Sequence, residues 1–553
     1  MSIRISLDKQ PEFYTNLDVI SGRLILGLNR AEQVGSIVVK LEGECITALQ
    51  VPSPYDPSMP TINPRRAPLP APPGSIISEN HKVLYKVQQV FPDDYHASSS
   101  NPYGAHPLHP GEHSFPFSFK VPVNNACGNP LAMSQIGGIA GPGGFGSGPG
   151  LFGMGGFRVM DGTKQLFLAH TTRILPPSIT GLPMEAEVRY YIKVTIQRPG
   201  FLKENWRYQI GFKFLPIEPP RPPVTGQEAF ARRPYAFRPG PPDRAERKSS
   251  FFGRKGDKSD GASSETGLPT PPSIEMSARL PHPAILTCNQ PVPLRLVAKK
   301  LAPSSEPVYM TSFEMKLIGF TEIRCHGLVN RKPNAWIVAS HNHHIAIPVT
   351  SPAQDEVGSE IALPDDIWKN SPLPNTVAPS FESCNLSRRY ELEIRLGLTW
   401  GKPSSAEFGK SPKLQQTIVL PLHFARVQIF SGIKPPPELV EAARNTAPGQ
   451  ATLEGPPRLP PRAPSQAQSS AAAGPSRPQP PSVPPRDPLY PPQLAPGQSP
   501  EAAAAPPYDE APPSYDEAIA ENLSGPFDGA QPRPAYSGVT NENAPSQMPP
   551  DKH

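Results

Sequence analysis

Short runs in which hydrophobic and polar residues alternate recur through the first 218 residues of the chain. The clearest run has a hydrophobic residue at every second position: Val188, Tyr190, Ile192, Val194 and Ile196. Similar runs begin at Ile3, Ile37 and Phe115. A period of two places successive side chains on opposite faces of a strand. The pattern therefore predicts antiparallel strands that pack through one face, with no amphipathic helix in this part of the chain.

The same alternation returns from about residue 281 to 433, and two segments of the first half are echoed there. Residues 39–43 (VKLEG) resemble residues 315–319 (MKLIG), and residues 189–196 (RYYIKVTI) resemble residues 389–396 (RYELEIRL). The echoes occur in the same order in both halves, which indicates an internal duplication. We therefore predict an all-β fold made of two tandem antiparallel β-sandwiches.

Composition divides the chain into four intervals, because 81 of its 553 residues are proline and these are unevenly spread. Residues 1–218 form the first predicted sandwich, interrupted by a proline-rich stretch (52–73) and a glycine-rich stretch (128–156). Residues 219–280 are a basic linker rich in proline, serine and glycine, and residues 281–433 form the second sandwich. Residues 434–553 are a long proline-rich tail, which we predict to be disordered because it offers little hydrophobic surface to bury.

Several broad features predict a cytosolic protein. No run approaches 18 consecutive apolar residues, and the N-terminus has no apolar signal-peptide core. The five cysteines are scattered without a Cys-x-x-Cys pair, as a reducing compartment allows: Cys45, Cys127, Cys288, Cys325 and Cys384. The net charge of +5 is too small to indicate a nucleic-acid partner.

The tail contains a doubled Pro-Pro-Tyr phrase whose second copy has the Pro-Pro-x-Tyr form bound by WW domains, through Pro512, Pro513 and Tyr515. Two prolines hold the backbone near polyproline II, so little conformational entropy is lost on binding. Tyr508 lacks the spacer residue and Tyr490 follows Asp-Pro-Leu, so both are weaker candidates. The alternative is that a tail so rich in proline contains the motif by chance.

Two further tail segments have the Pro-x-x-Pro-x-Arg form of an SH3 ligand. Their defining residues are Pro457, Pro460 and Arg462 in the first segment, and Pro481, Pro484 and Arg486 in the second. In this motif the prolines contact an aromatic groove and the arginine contacts an acidic pocket. These segments give an alternative function, a signalling scaffold that binds SH3-domain proteins.

No motif in the sequence indicates catalysis. The glycine run at residues 143–148 has no following Gly-Lys-Ser/Thr, which favours a surface loop over a phosphate-binding loop. His341, His343 and His344 lie close together, but no neighbouring cysteine or carboxylate completes a metal site. The sequence therefore predicts a protein that is not an enzyme, with no catalytic residue, no cofactor and no metal site.

Taken together, these features resemble the α-arrestins, particularly the fungal arrestin-related trafficking adaptors. Residues 16–28 (NLDVISGRLILGL) followed by residues 39–43 look like the opening of an arrestin N-terminal domain. Residues 111–119 (GEHSFPFSF) look like its middle strand, and residues 175–178 (LPPS), leading into residue 189, look like its later strands. The resemblance is firmer in the first half of the chain than in the second.

The resemblance implies an adaptor that is recruited from the cytoplasm to the plasma membrane or endosomes. Its sandwiches would bind cytoplasmic tails of membrane transporters or receptors, and its Pro-Pro-x-Tyr motif would recruit a WW-domain ubiquitin ligase of the HECT class. Ubiquitin would then be attached to the cargo, or to a lysine of the adaptor, promoting endocytosis or sorting. The basic pairs at residues 232–233, 247–248 and 254–255 are either a peripheral contact with anionic lipid or part of a solvated linker.

Overall fold

A computed structural model describes the chain in eleven stretches. These are residues 1–52, 71–92, 105–129, 168–200, 203–238, 270–350, 355–401, 417–446, 515–528, 532–536 and 542–549. The proline-rich and glycine-rich interruptions of the first half lie largely outside them.

The first sandwich consists of strands β1 (Ser2–Leu7), β2 (Val19–Leu28), β3 (Glu32–Val34), β4 (Ser36–Gln50), β5 (Ile76–Phe91), β6 (His106–Leu108), β7 (Gly111–Lys120), β8 (Ile179–Leu182), β9 (Ala186–Gln197) and β10 (Trp206–Phe212). A sheet in the order β1-β2-β7 packs on a sheet in the order β10-β9-β4-β5, in which β8 also pairs with β9. A short β3-β6 pair lies beside them. Every pairing is antiparallel, and the alternating residues of β9 are buried as the sequence predicts.

The second sandwich consists of β11 (Glu228–Ala236), β12 (Ser273–Pro281), β13 (Ile285–Thr287), β14 (Arg295–Lys300), β15 (Val308–Cys325), β16 (Leu328–Thr350), β17 (Glu360–Ala362), β18 (Phe381–Glu382), β19 (Leu386–Trp400) and β20 (Thr417–Phe430). One sheet has the order β11-β12-β14-β17, and the other has the order β13-β20-β19-β15-β16, with β18 also on β19. The β13-β20 pair is parallel, and the others are antiparallel. The predicted all-β architecture of two sandwiches is confirmed.

The second sandwich begins earlier than the sequence predicted, because β11 and most of β12 fall inside the interval assigned to the linker. Strand β12 buries every second residue: Ile274, Met276, Ala278 and Leu280. This alternation is present in the sequence, but it lies at the end of an interval whose proline and arginine content is typical of a linker. Strand β11 pairs with β12 along nine residues, which brings residues 228–236 into the sheet.

The duplication predicted from the echoed segments is confirmed by strand register. Gly43 of β4 lies opposite Tyr190 of β9, and Gly319 of β15 lies opposite Tyr390 of β19. Each tyrosine hydroxyl donates a hydrogen bond to a backbone carbonyl 12 to 14 residues earlier in the chain. The two sandwiches therefore share a local construction around the same glycine–tyrosine pair.

The two sandwiches meet where the hairpin between β15 and β16 ends. The backbone N–H of His326 donates to Glu79 Oε2 at 2.7 Å, and the Cys325 thiol donates to the carbonyl of Ile77 at 3.4 Å. Asn385, fully buried beside this hairpin, donates from Nδ2 to the carbonyl of Cys45 at 2.9 Å. Buried polar contacts thus join the first sandwich to the second.

A short ladder closes the interval that contains the glycine-rich stretch. Asn124 and Ile174 form an antiparallel bridge, and the N–H of Asn125 donates to the carbonyl of Arg173 at 2.8 Å. The N–H of Leu175 donates to the carbonyl of Val123 at 3.1 Å. The chain therefore leaves and re-enters the first sandwich at one point.

Parts of the predicted disordered tail lie against the sandwiches. Helix α1 (Pro437–Thr446) follows β20, and helix α2 (Tyr515–Asn522) contacts it. Three further described segments follow: residues 523–528, 532–536 and 542–549. The low hydrophobicity of the tail gave no indication that these segments are ordered. Within the described residues, no helix is long and apolar enough to span a membrane.

Candidate functional site

The tyrosine of the Pro-Pro-x-Tyr motif is the first residue of α2. Pro512 and Pro513 lie outside the described residues, and so do the weaker candidates Tyr508 and Tyr490. The Pro-x-x-Pro-x-Arg residues also lie outside the described stretches: Pro457, Pro460, Arg462, Pro481, Pro484 and Arg486. Of the motif and its surroundings, the structure therefore describes only Tyr515 and the chain that follows it.

The C-terminal end of α2 is held by a lysine of the first sandwich. Lys120, the last residue of β7, donates from Nζ to the carbonyl of Glu521 at 2.7 Å and also to the carbonyl of Leu523. The last carbonyls of a helix have no partner within the helix and carry partial negative charge, so a cation is favourable there. This contact fixes one end of α2 on the sandwich.

Arg533 anchors the next tail segment through a carboxylate of the first sandwich. Its Nη1 lies 2.9 Å from Oδ2 of Asp18 and donates to the carbonyl of Phe13 at 2.9 Å. The guanidinium also lies over the ring of Phe527, 4.5 Å from its centroid. Burial raises the pKa of Asp18, and the hydrogen bond from Arg533 opposes that rise. The pair is thus a largely buried electrostatic contact between tail and body.

Tyr536 inserts into a small hydrophobic cluster where the ends of the two sandwiches meet. The cluster contains Phe13, Leu215, Ile217, Ile433 and Tyr536. The ring of Tyr536 meets that of Phe13 edge to face, with centroids 6.1 Å apart, and its side chain is only 2 % exposed. Next to it, the carbonyl of Ala535 accepts a hydrogen bond from Asn289 of the second sandwich. The segment 532–536 therefore contacts both sandwiches.

The last described segment, 542–549, runs along the edge of the first sandwich. Arg189 donates from Nη2 to the carbonyl of Glu542 at 3.0 Å, and the N–H of Gly211 donates to Asn543 Oδ1 at 3.1 Å. The N–H of Met184 donates to the carbonyl of Gln547 at 3.0 Å. The tail therefore covers part of the β8-β9-β10 region, which includes the edge strand β10.

Strand β16 is the terminal strand of the six-stranded sheet, so one side of its backbone faces away from the sheet. Two large hydrophobic side chains on it are exposed, Ile337 by 62 % and Val329 by 50 %. An edge strand with apolar side chains is a template on which an extended peptide can add as a further strand. Between the sandwiches, by contrast, the surface around Asn385 is taken up by buried polar contacts.

The histidine group noted in the sequence lies on β16, where the exposed His341 bonds through Nε2 to the carbonyl of Ile367 at 2.9 Å. Among the basic pairs, Arg232 and Arg233 lie on β11 rather than in a linker. Arg232 stacks over the ring of Phe230 at 4.0 Å, and Arg233 donates to the carbonyl of Pro421 at 3.2 Å. The pairs at 247–248 and 254–255 lie outside the described residues.

Sequence reasoning missed the residues that hold the tail. Tyr536 follows Arg-Pro-Ala, which is a poor match to the WW-ligand motif, and nothing in the sequence marks Arg533 or Lys120 as an anchor. The local sequence offers one signal for an anchor, which is a tyrosine and an arginine in a segment otherwise made largely of proline and small residues. The partners of Arg533 in the first sandwich, Phe13 and Asp18, are more than 500 residues away in the sequence, so no local pattern connects them.

Comparison with known proteins finds a family match within the first sandwich. Residues 3–139 match the family model described as Arrestin (or S-antigen), N-terminal domain. The matched interval runs from β1 through β7 and ends within the glycine-rich stretch. No curated protein matches the chain.

Proposed function

We propose, from the premise that the first sandwich is an arrestin-like N-terminal domain, that this chain is a cytosolic trafficking adaptor and not an enzyme. It binds the cytoplasmic tail of a membrane transporter or receptor through its sandwiches. Its Pro-Pro-x-Tyr motif recruits a WW-domain ubiquitin ligase of the HECT class. Ubiquitination of the cargo, or of a lysine on the adaptor, then promotes endocytosis or sorting at the plasma membrane or endosomes.

The observation that carries this proposal is the anchored chain immediately after Tyr515. Helix α2 begins at this residue, and Lys120 binds the carbonyl of Glu521. Six residues of helix rise by about 9 Å, so Tyr515 is tethered close to the surface of the first sandwich. A ligase bound there would be kept at high effective concentration next to cargo on the same body, which compensates for the low affinity of one short motif.

For cargo, the exposed edge of β16 is favoured over the surface between the sandwiches. Backbone pairing with an edge strand gives affinity without requiring one cargo sequence, and the exposed side chains of Ile337 and Val329 add selectivity. The part of the surface between the sandwiches that lies around Asn385 is already taken up by their mutual hydrogen bonds.

The ligase step is tested with the full chain and isolated WW domains in a binding titration. Tyr515→Ala removes the side chain that fills the tyrosine pocket, and we expect affinity to fall by at least about tenfold, as for other anchor residues. Tyr508→Ala is the matched control, since this tyrosine lacks the spacer residue, and it should bind almost normally. Undiminished binding by Tyr515→Ala would rule out the proposed motif.

The cargo step is tested by co-precipitating membrane proteins with the full chain from cells. Ile337→Asp places a charge on the edge of β16 without disturbing the core, and we expect cargo recovery to fall while WW binding is retained. Val419→Asp is the control, since Val419 is 64 % exposed on β20 of the same sheet. Equal recovery with both variants would exclude β16 as the cargo site.

The alternative function, an SH3-binding scaffold, is distinguished from the trafficking adaptor by how substitutions affect SH3 and WW binding. It requires that SH3 binding disappear when Arg462 and Arg486 are replaced by alanine, and that Tyr515→Ala leave every partner bound. Loss of WW binding with Tyr515→Ala alone favours the trafficking adaptor.

A further inference from the structure

Two histidines and two cysteines from four separate segments converge beside the junction of the sandwiches. The members of this Cys₂His₂ cluster are His81, Cys127, His170 and Cys384. One ligand-type atom from each lies within 4.8 Å of those of the others. His81 is on β5, Cys127 and His170 flank the glycine-rich stretch, and Cys384 precedes β19 in the second sandwich.

We propose that the Cys₂His₂ cluster binds one Zn²⁺ ion. Two thiolates and two imidazoles are a preferred ligand set for structural zinc, and four protein ligands fill a tetrahedral site completely. The ion would join three segments of the first sandwich to the second sandwich. Its role is therefore to fasten the domains rather than to catalyse a reaction.

The distances within the cluster fit a tetrahedral ion. Zn–S bonds of about 2.3 Å and Zn–N bonds of about 2.0–2.1 Å place two sulfur ligands about 3.8 Å apart and a sulfur and a nitrogen about 3.6 Å apart. The sulfurs of Cys127 and Cys384 are 3.5 Å apart, and Cys384 Sγ lies 4.0 Å from His170 Nδ1. The imidazole rings of His81 and His170 stand edge to face, with centroids 5.0 Å apart, which lets both present a nitrogen to one point.

His81 supplies independent support, because its side chain is fully buried and its Nδ1 has no hydrogen-bond partner of normal geometry among the described residues. A buried polar nitrogen without a partner is costly. The other ring nitrogen, Nε2, lies 2.6 Å from Glu79 Oε1. This leaves Nδ1 directed to the cluster, in the arrangement by which a carboxylate orients a metal-binding histidine.

Glu79 is an orienting residue and not a ligand. Its second oxygen, Oε2, accepts the backbone N–H of His326 at 2.7 Å, so both oxygens are engaged away from the cluster. Oε1 of Glu79 can therefore accept a hydrogen bond from Nε2 of His81.

Each sulfur atom of the cluster accepts a hydrogen bond from an N–H donor. The backbone N–H of Thr171 donates to Cys384 Sγ at 3.4 Å, and Asn125 Nδ2 donates to Cys127 Sγ at 3.3 Å. His81 and Cys127 are buried, whereas His170 and Cys384 are half-buried, so an ion can enter from their side.

The test uses the untagged full chain, purified under reducing conditions without chelator, and measures zinc by mass spectrometry. We expect about one zinc ion per chain. After removal of the zinc, titration with Co²⁺ should give one equivalent of a tetrahedral cobalt spectrum with a thiolate-to-metal charge-transfer band. A wild-type chain that holds no zinc and gives no such band would overturn the proposal without reference to any variant.

Variants locate the ion. His81→Ala and Cys384→Ser should each lose most of the bound zinc and the charge-transfer band. Cys288→Ser is the control, because this cysteine is also free and buried but donates to the carbonyl of Val377 away from the cluster, and it should retain both. Retention of zinc by His81→Ala and Cys384→Ser, or a Cys127–Cys384 disulfide in the wild-type chain after alkylation and mass analysis, would contradict the site.

Discussion

Gly43 and Tyr190 face each other across β4 and β9, so closely that a Cβ atom on Gly43 would lie 2.6 Å from the tyrosine ring. The ring lies flat over the glycine, and its hydroxyl reaches the carbonyl of Pro176 at 2.7 Å. Gly319 and Tyr390 repeat the arrangement, with a Cβ position 2.8 Å from the ring. Glycine is required at both places because the ring occupies the space of any side chain.

Gly43→Ala is therefore expected to destabilise the first sandwich by about 1–3 kcal/mol, as overpacking of a core does. The measurement is the shift in the urea midpoint of unfolding. Gly27→Ala is the matched control on β2, since its added methyl group would meet only the hydroxyl of Ser2, which is exposed and can rotate away. A shift no larger for Gly43→Ala than for Gly27→Ala would contradict this account.

The glycine–tyrosine pair also shows what the sequence can reveal. Both pairs lie in the echoed segments, so alternation and repetition predicted the sandwiches and their duplication. The contacts of Tyr536 with Phe13, and of Cys127 with Cys384, join positions hundreds of residues apart. Nothing local in the chain specifies such contacts, because they depend on how complete sheets stack.

Arg533→Ala should release the tail from the first sandwich. It removes the partner of the buried Asp18 carboxylate, and breaking a buried ion pair in this way costs about 3 kcal/mol. Hydrogen–deuterium exchange of peptides covering 532–536 should therefore accelerate in the variant. Glu521→Ala is the control, because Lys120 binds the carbonyl of Glu521, which the substitution retains. Unchanged exchange in Arg533→Ala would show that the contacts of Tyr536 and Ala535 are enough to hold the segment.

A buried ionic network on the first sandwich predicts a pH-dependent effect. Lys82, 2 % exposed, forms ion pairs with Glu42 and Glu44, and Tyr191 donates to Glu42 at 2.8 Å. Burial raises the pKa of Glu42, but Lys82 and Lys193 outweigh it, so the pKa lies below its usual value. A lowered carboxyl pKa contributes stability above the unfolded-state pKa, and this contribution is lost as the pH falls through the folded-state value.

Lys82→Met should remove that contribution and leave two carboxylates without their cation. We expect a loss of about 3–5 kcal/mol at pH 7 and a smaller loss near pH 4, because protonation then neutralises Glu42. Urea unfolding at both pH values measures the difference. Lys203→Met, at an exposed position, should change stability by less than about 0.5 kcal/mol at either pH. A Lys82→Met loss independent of pH would refute the electrostatic explanation.

The hydrogen bonds of Asn385 between the sandwiches are expected to contribute to the stability of the folded chain. Its Nδ2 donates to the carbonyls of Cys45 at 2.9 Å and Glu79 at 3.3 Å. Asn385→Ala should cost about 1–3 kcal/mol, because these carbonyls lose a buried donor. Asn385→Asp should cost more, since a carboxylate oxygen would face them directly. Thermal unfolding compares the two, with Asn342→Asp on the exposed face of β16 as control, and equal effects of Asp and Ala at position 385 would argue against a donor role.

The ladder between residues 123–125 and 173–175 makes the interval it encloses a suitable site for inserting another protein. Its backbone hydrogen bonds hold both ends of the interval side by side, whatever length of chain connects them. Doubling a loop adds only about 0.6 kcal/mol of closure entropy. A fluorescent protein whose termini lie close together, inserted within the glycine-rich stretch, should therefore report the position of the adaptor in living cells while leaving both sandwiches and the tail intact.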